Sequence, residues 1–178
     1  MNLKMEWIQC DEGRLDELSD FYDRVVTYLE AHINYPKWSH AYPCRESVEA
    51  AIHRGDQYAC LEDGRIVGAA VMNDNPGGAY EKGDWSCDLQ EGEYLILHSL
   101  AADPERQGCG IGDFMVKCAL SFAKANGYKA IRLDVVPGNT PAQRLYRHNG
   151  FTYAGTRDLE RGIEYIPEFE LYEKNMTE

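Results

Sequence analysis

Apolar residues recur at steps of three and four through Leu15, Leu18, Tyr22, Val25, Leu29 and Ile33, the pattern of one buried helix face. Pro36 closes that helix, and a short strand over 5–9 precedes it. A second helix is predicted over 45–54, stopped by Gly55. Two apolar runs, 57–62 and 65–72, flank Asp63-Gly64, a strong hairpin signal. Residues 73–92 are polar and glycine-rich, with Asn75-Pro76-Gly77-Gly78 as a turn. Residues 94–100 are mostly apolar, as in a central strand buried on both faces. Asp103-Pro104 breaks that strand. A long helix over 110–126 follows, with Ile111, Phe114, Met115, Cys118, Ala119 and Phe122 on its apolar face and Gly127 at its end. Ile131, Leu133 and Val135 alternate with Arg132 and Asp134, which marks another strand. Residues 140–149 read as a short helix with Pro141 in its first turn. Two strands, 151–160 and 168–174, complete the chain.

The predicted order is β, α, α, β, β, β, α, β, α, β, β, with no repeat, linker or low-complexity tract. It describes one mixed α/β domain over 1–178. The 178 residues are 44% hydrophobic and 27% charged, an ordinary globular composition. No apolar run reaches the roughly 20 residues needed to cross a bilayer. The first nine residues lack the layout of a signal peptide. These features point to a cytoplasmic protein without a membrane partner. The formal net charge of −12 argues against binding to nucleic acid. The six cysteines form no C-x-x-C pair, so reduced thiols are expected rather than a disulfide framework or a metal site.

The stretch from Leu100 to Gly112 carries the most chemistry. A strand runs into a turn holding Gly108, Gly110 and Gly112, and a helix begins there. Glycine permits backbone angles closed to other residues and lets a ligand approach the chain. The first N–H groups of a helix lack internal partners and favour negative charge. Together they make a backbone site for a diphosphate. A P-loop requires Gly-Lys-Ser/Thr, where Ile111, Gly112 and Asp113 stand. A dinucleotide fingerprint requires a third glycine where Asp113 or Met115 stands, and here the loop follows four strands rather than one. A plain tight connection is the remaining reading of the turn by itself.

Gln107-x-x-Gly110-x-Gly112 resembles the Q/R-x-x-G-x-G/A pattern of the GCN5-related N-acetyltransferase (GNAT) superfamily. The preceding Leu100-Ala101-Ala102-Asp103-Pro104 is similar to that family's Leu-Ala-Val-x-Pro strand end. Downstream, Asn139-x-x-Ala142-x-x-Leu145-Tyr146-x-x-x-Gly150-Phe151 resembles its second hallmark. The motifs cover about 100–151, and the element order matches over nearly the whole chain. The resemblance implies a mixed sheet that splays between its fourth and fifth strands, flanked by about four helices, with acetyl-CoA in the cleft. The amides of Gln107, Gly108, Cys109, Gly110, Ile111 and Gly112 would hold its diphosphate. Leu100, Ala101 and Ala102 would pair with its pantetheine arm like an added strand, and Asn139 belongs to the second motif.

The resemblance also implies catalytic groups. Tyr146 stands where the family often places a tyrosine near the CoA sulfur, and a phenol can protonate a departing thiolate. Leu97-His98-Ser99-Leu100-Ala101 is similar to a Leu-His-Ala-Leu-Ala segment of serotonin N-acetyltransferases, in which the histidine serves in deprotonating the amine. Histidine titrates near neutral pH, which suits a base. Glu93 is a weaker alternative. Packing within the core is the plain alternative for both Tyr146 and His98.

Family members usually build the acceptor site from the loop between the first two helices and from the last strands, here 34–44 and 157–169. Trp38, Tyr42, Trp85, Tyr165 and Phe169 are candidates to wall it, and aromatic faces suit an alkyl, aryl or cationic amine. Six acidic residues and one lysine between Asp74 and Glu93 would favour cationic acceptors if they overlook the site. The leading expectation is acetylation of a small primary amine by direct transfer. A non-catalytic acyl-CoA sensor and a protein or peptide N-acetyltransferase are the alternatives. The final strands offer edges for a homodimer.

Overall fold

The structure is a computed structural model that describes residues 4–176. Among them lie seven strands and four α-helices: β1 (Met5–Gln9), α1 (Leu15–Ala31), α2 (Arg45–His53), β2 (Gln57–Glu62), β3 (Arg65–Asn73), β4 (Tyr94–Ala102), α3 (Ile111–Ala125), β5 (Ala130–Val135), α4 (Thr140–His148), β6 (Thr152–Arg157) and β7 (Phe169–Asn175). The order is the one expected from the periodicities. The strands hydrogen-bond in the order β1-β2-β3-β4-β5-β7-β6. The chain forms two compact units. One contains residues up to Met72 together with Ser99–Cys118, and the other contains Asn73–His98 and the residues from Ala119 onward.

In the first unit, β1, β2 and β3 form an antiparallel meander. Asp63 and Gly64 both have positive φ, 50° and 77°, as a two-residue hairpin of the I′ kind requires. Leu18, Phe21, Tyr22 and Val25 of α1 pack with Val48 and Ile52 of α2 on Ala59, Leu61, Ile66 and Ala69. On the other face, α3 lies against Gly68, where an added Cβ would stand 2.7 Å from Met115 Sδ. The apolar stripe of α1 ends earlier than its period predicts. Ile33 lies beyond the helix and is 61% exposed. Asn34 explains this: its side chain accepts from Trp38 N at 3.0 Å and donates to Trp38 O at 2.7 Å. Such local bonding competes with helix continuation.

In the second unit, β5 pairs in parallel with the start of β4, through Tyr94↔Ala130, Leu95↔Ile131 and Ile96↔Arg132. β7 is antiparallel to both β5 and β6. Arg132 occupies the polar phase of the β5 alternation, yet it is only 2% exposed. Its guanidinium carbon lies 4.4 Å from the ring centroids of both Trp85 and Tyr94. Its Nη2 donates to Cys87 O at 2.7 Å, and its Nε lies 3.9 Å from Glu173 Oε2. The glycine-rich segment over 73–92 is therefore more than a solvated loop. Tyr80 is buried in a core with Tyr94, Ile96, Ala130 and Leu171, and Ser86 N donates to Glu173 Oε1 at 2.8 Å.

Candidate functional site

The glycine turn belongs to the first unit. Asp103 ties the end of β4 to β3 through Asp103 N–Val67 O at 2.8 Å, and its side chain caps the 3-10 turn Pro104–Arg106. Gly108 and Gly110 then take φ of 76° and 78°, with open space where a Cβ would stand. This left-handed pair is what lets the chain turn from strand into helix within a few residues. Phe114 N makes an α-helical bond to Gly110 O, whereas Cys109 N bonds within the turn to Arg106 O at 3.3 Å. The helix-opening amides thus stand ahead of the internal ladder, where an anion can accept from them. The cation of this turn is already engaged, since Arg106 is ion-paired to Glu62. The Gln107 side chain donates to Tyr28 Oη at 3.4 Å. Leu100 and Ala102 pack beside Ile111 and Met115, while Ala101 faces the α1–α2 core.

His98 and Tyr146 belong to the second unit. His98 Nε2 lies 3.0 Å from Asn73 Oδ1 and 3.1 Å from Asn75 O. A backbone carbonyl can only accept, so Nε2 carries the hydrogen that points to Asn75 O. Glu93 is engaged otherwise: it accepts from Lys129 Nζ at 2.6 Å and from Gln90 N at 2.7 Å. The Lys129 hydrogen bond, followed by the Gln90 amide, holds its carboxyl below the usual range, which makes it a poor base. Tyr146 lies on α4, 6% exposed, with its ring 5.5 Å from Phe151. Burial, and then the charge of Asp134, push its phenol above its ordinary range. It therefore stays protonated at neutral pH, the form an acid needs. Asn139 caps α4, accepting from Ala142 N at 3.2 Å.

The candidate acceptor residues divide between the units. Trp38 meets Tyr22 edge-on at 6.2 Å, and Tyr42 is 49% exposed; both are in the first. In the second, Trp85 donates Nε1–H to Tyr80 O at 2.6 Å, and Tyr165 is 63% exposed. Phe169 is buried under the Arg161 guanidinium at 4.7 Å, so its ring packs the core instead of lining an open wall.

Two arrangements escaped the sequence reading. Arg161 grips Asp134 with two bonds, 2.8 and 2.9 Å, and also reaches Pro76 O and Gly77 O. Tyr80 Oη donates to the same carboxylate at 2.5 Å. The other is Ser99, which has φ of 49° inside β4. Neither has a local signature, because the partners are far apart in the chain. Among the described residues no group of three or more His, Cys, Asp or Glu side chains is placed to hold a metal. No helix among them is long and apolar enough to cross a membrane.

Comparison with known proteins agrees with this geometry. The model of the acetyltransferase (GNAT) family matches residues 16–151. An uncharacterized N-acetyltransferase of Methanocaldococcus jannaschii is 24% identical over 140 residues, which are 76% of this chain and 57% of that protein. The mycothiol acetyltransferase of Beutenbergia cavernae is 33% identical over 84 residues, 46% of this chain and 27% of that protein. The chain thus spans just over half of the first relative's length and about a quarter of the second's. The crystal structure of a GNAT-family acetyltransferase from Streptococcus agalactiae superposes with a TM-score of 0.78 at 20% identity, covering 98% of both chains.

Proposed function

The chain belongs to the acetyltransferase (GNAT) family, and from that premise we propose that it transfers the acetyl group of acetyl-CoA directly to a primary amine of a small molecule. The observation that carries this reading is the glycine turn at the start of α3, with two left-handed residues immediately ahead of the first α-helical bond, Phe114 N to Gly110 O. The residues present fit the donor. Backbone amides of Gln107, Gly108, Gly110, Ile111 and Gly112 would bind the diphosphate, and the β4 backbone at Leu100–Ala102 would align the pantetheine arm. When bound, acetyl-CoA supplies the activated acyl thioester.

The chain's own groups do the rest. His98 would take a proton from the acceptor ammonium, with its ring oriented by the Asn73 and Asn75 oxygens beside Nε2. Tyr146 would give its phenolic proton to the departing sulfur. The relative named for mycothiol supports a small-molecule acceptor over a protein one.

The test is thiol release from acetyl-CoA across a panel of alkyl, aryl and polyamine acceptors and peptides. Turnover with small amines is expected. Binding of acetyl-CoA without turnover on any acceptor would favour a sensor, and turnover on peptides alone would favour a protein acetyltransferase. Tyr146→Phe is expected to lower kcat about 100-fold, the scale of general acid catalysis, with the Kd for acetyl-CoA unchanged. Unchanged kcat would remove Tyr146 as the acid. His98→Gln is expected to abolish the limb of the kcat/KM profile that rises through the neutral range. A profile like that of the wild type would remove His98 as the base.

A further inference from the structure

Four residues other than glycine adopt positive φ among those described: Lys37, Asp63, Ser99 and Glu160. Three lie in turns or loops, and Ser99 alone lies within a strand. A left-handed serine is uncommon. In the middle of a strand it interrupts the ladder and re-aims the peptide groups beside it, as a bulge does. Such a conformation persists only where its surroundings over-determine it.

Two tyrosines supply that determination. Tyr22 Oη donates to Ser99 O at 2.8 Å, and Tyr42 Oη lies 2.5 Å from Ser99 Oγ. Neither anchor depends on Ser99 for its own position. Tyr22 is 1% exposed, with its ring against Phe21 at 5.5 Å and Trp38 at 6.2 Å. Tyr42 ends a tight turn closed by two bonds with Ser39, both 3.0 Å. The carbonyl and the side chain of Ser99 are thus each held from a separate, fixed point.

We propose that Tyr22 and Tyr42 are positioning residues that hold Ser99 in its left-handed conformation and thereby aim the β4 backbone of residues 100–102 for the acyl donor. Its catalytic consequence rests on the transferase reading above. The pairing also links the 34–44 loop to the donor strand, so the acceptor side and the donor side share one hydrogen-bonded joint.

A double-mutant cycle tests this, because glycine adopts positive φ without the Cβ penalty and no longer needs holding. Tyr22→Phe keeps the buried ring and removes only the hydroxyl, which donates to Ser99 O and also meets the Gln57 side chain. It is expected to lower kcat about tenfold in the wild-type background and less than threefold in a Ser99→Gly background. Tyr42→Phe, at a half-exposed site, is expected to lower kcat severalfold in the wild-type background, and an unchanged kcat there overturns its part of the proposal. A purely packing role for Tyr22 gives equal losses in both backgrounds, and that result overturns the proposal. Amide hydrogen exchange over 99–102 reads the same cycle without turnover. Faster exchange in Tyr22→Phe that is absent in the double variant supports the proposal, and equal acceleration in both backgrounds overturns it. Wild-type protein that turns over no amine refutes the transferase reading, while the exchange cycle still decides the role of the tyrosines.

Discussion

Acetyl-CoA binding falls about a hundredfold when Gly110 is replaced by aspartate, while Gly110→Asn loses less than about tenfold. Gly110 has φ of 78° with open space at the Cβ position. Asn and Asp are the residues that best tolerate such a backbone after glycine, so both variants are expected to fold. They differ by one charge. A carboxylate roughly 6 Å from a phosphate, at an effective dielectric constant of about 20, costs about 3 kcal/mol. That corresponds to about a hundredfold in Kd. The amide side chain adds bulk without the repulsion. Calorimetry with acetyl-CoA measures both constants, and far-UV circular dichroism checks the fold. Equal losses in the two variants would mean that shape, and not a bound anion, is what the turn recognises.

The second large effect concerns stability. Arg132→Ala is expected to destabilise the protein by about 3–5 kcal/mol, the usual cost of removing one partner of a buried ion pair. Arg132 and Glu173 are 2% and 3% exposed. Truncation leaves the Glu173 carboxylate buried without its countercharge. It also removes the bond to Cys87 O and two cation–aromatic contacts, on Trp85 and Tyr94. For a chain of this size the melting temperature should fall by about 6–20 °C. Replacing both partners, as Arg132→Met with Glu173→Leu, should recover much of that loss, because no buried charge remains. A thermal melt of Arg132→Ala within 2–3 °C of wild type, the order of a 1 kcal/mol change, would show that the pair does not anchor the segment over 84–90.

The elements were legible because their periods are clean. The stripe of α1, the alternation of β5 and the Asp63-Gly64 hairpin each follow from spacing alone. The turn was legible for a different reason: glycine at 108 and 110 marks the positive φ that the structure then displays. What stayed hidden depends on partners distant in sequence. Arg132 gave no sign of its burial, because alternation reports only which face a residue occupies. Whether that face is covered depends on a segment some 45 residues away, whose Cys87 carbonyl receives its Nη2. Ser99 gave no sign of its conformation, since the Tyr22 hydroxyl that holds it lies 77 residues earlier. The end of α1 was overrun because the hydrophobic period continues to Ile33, while the Asn34 side chain redirects the backbone.

The central property proposed for the α3 turn is that its backbone amides grip a diphosphate. Isothermal titration with coenzyme A and, separately, with pantetheine, which lacks the diphosphate, tests that directly. Saturable one-site heat is expected for coenzyme A, with none for pantetheine at the same concentrations. No heat with coenzyme A, or equal affinity for the two compounds, would contradict it.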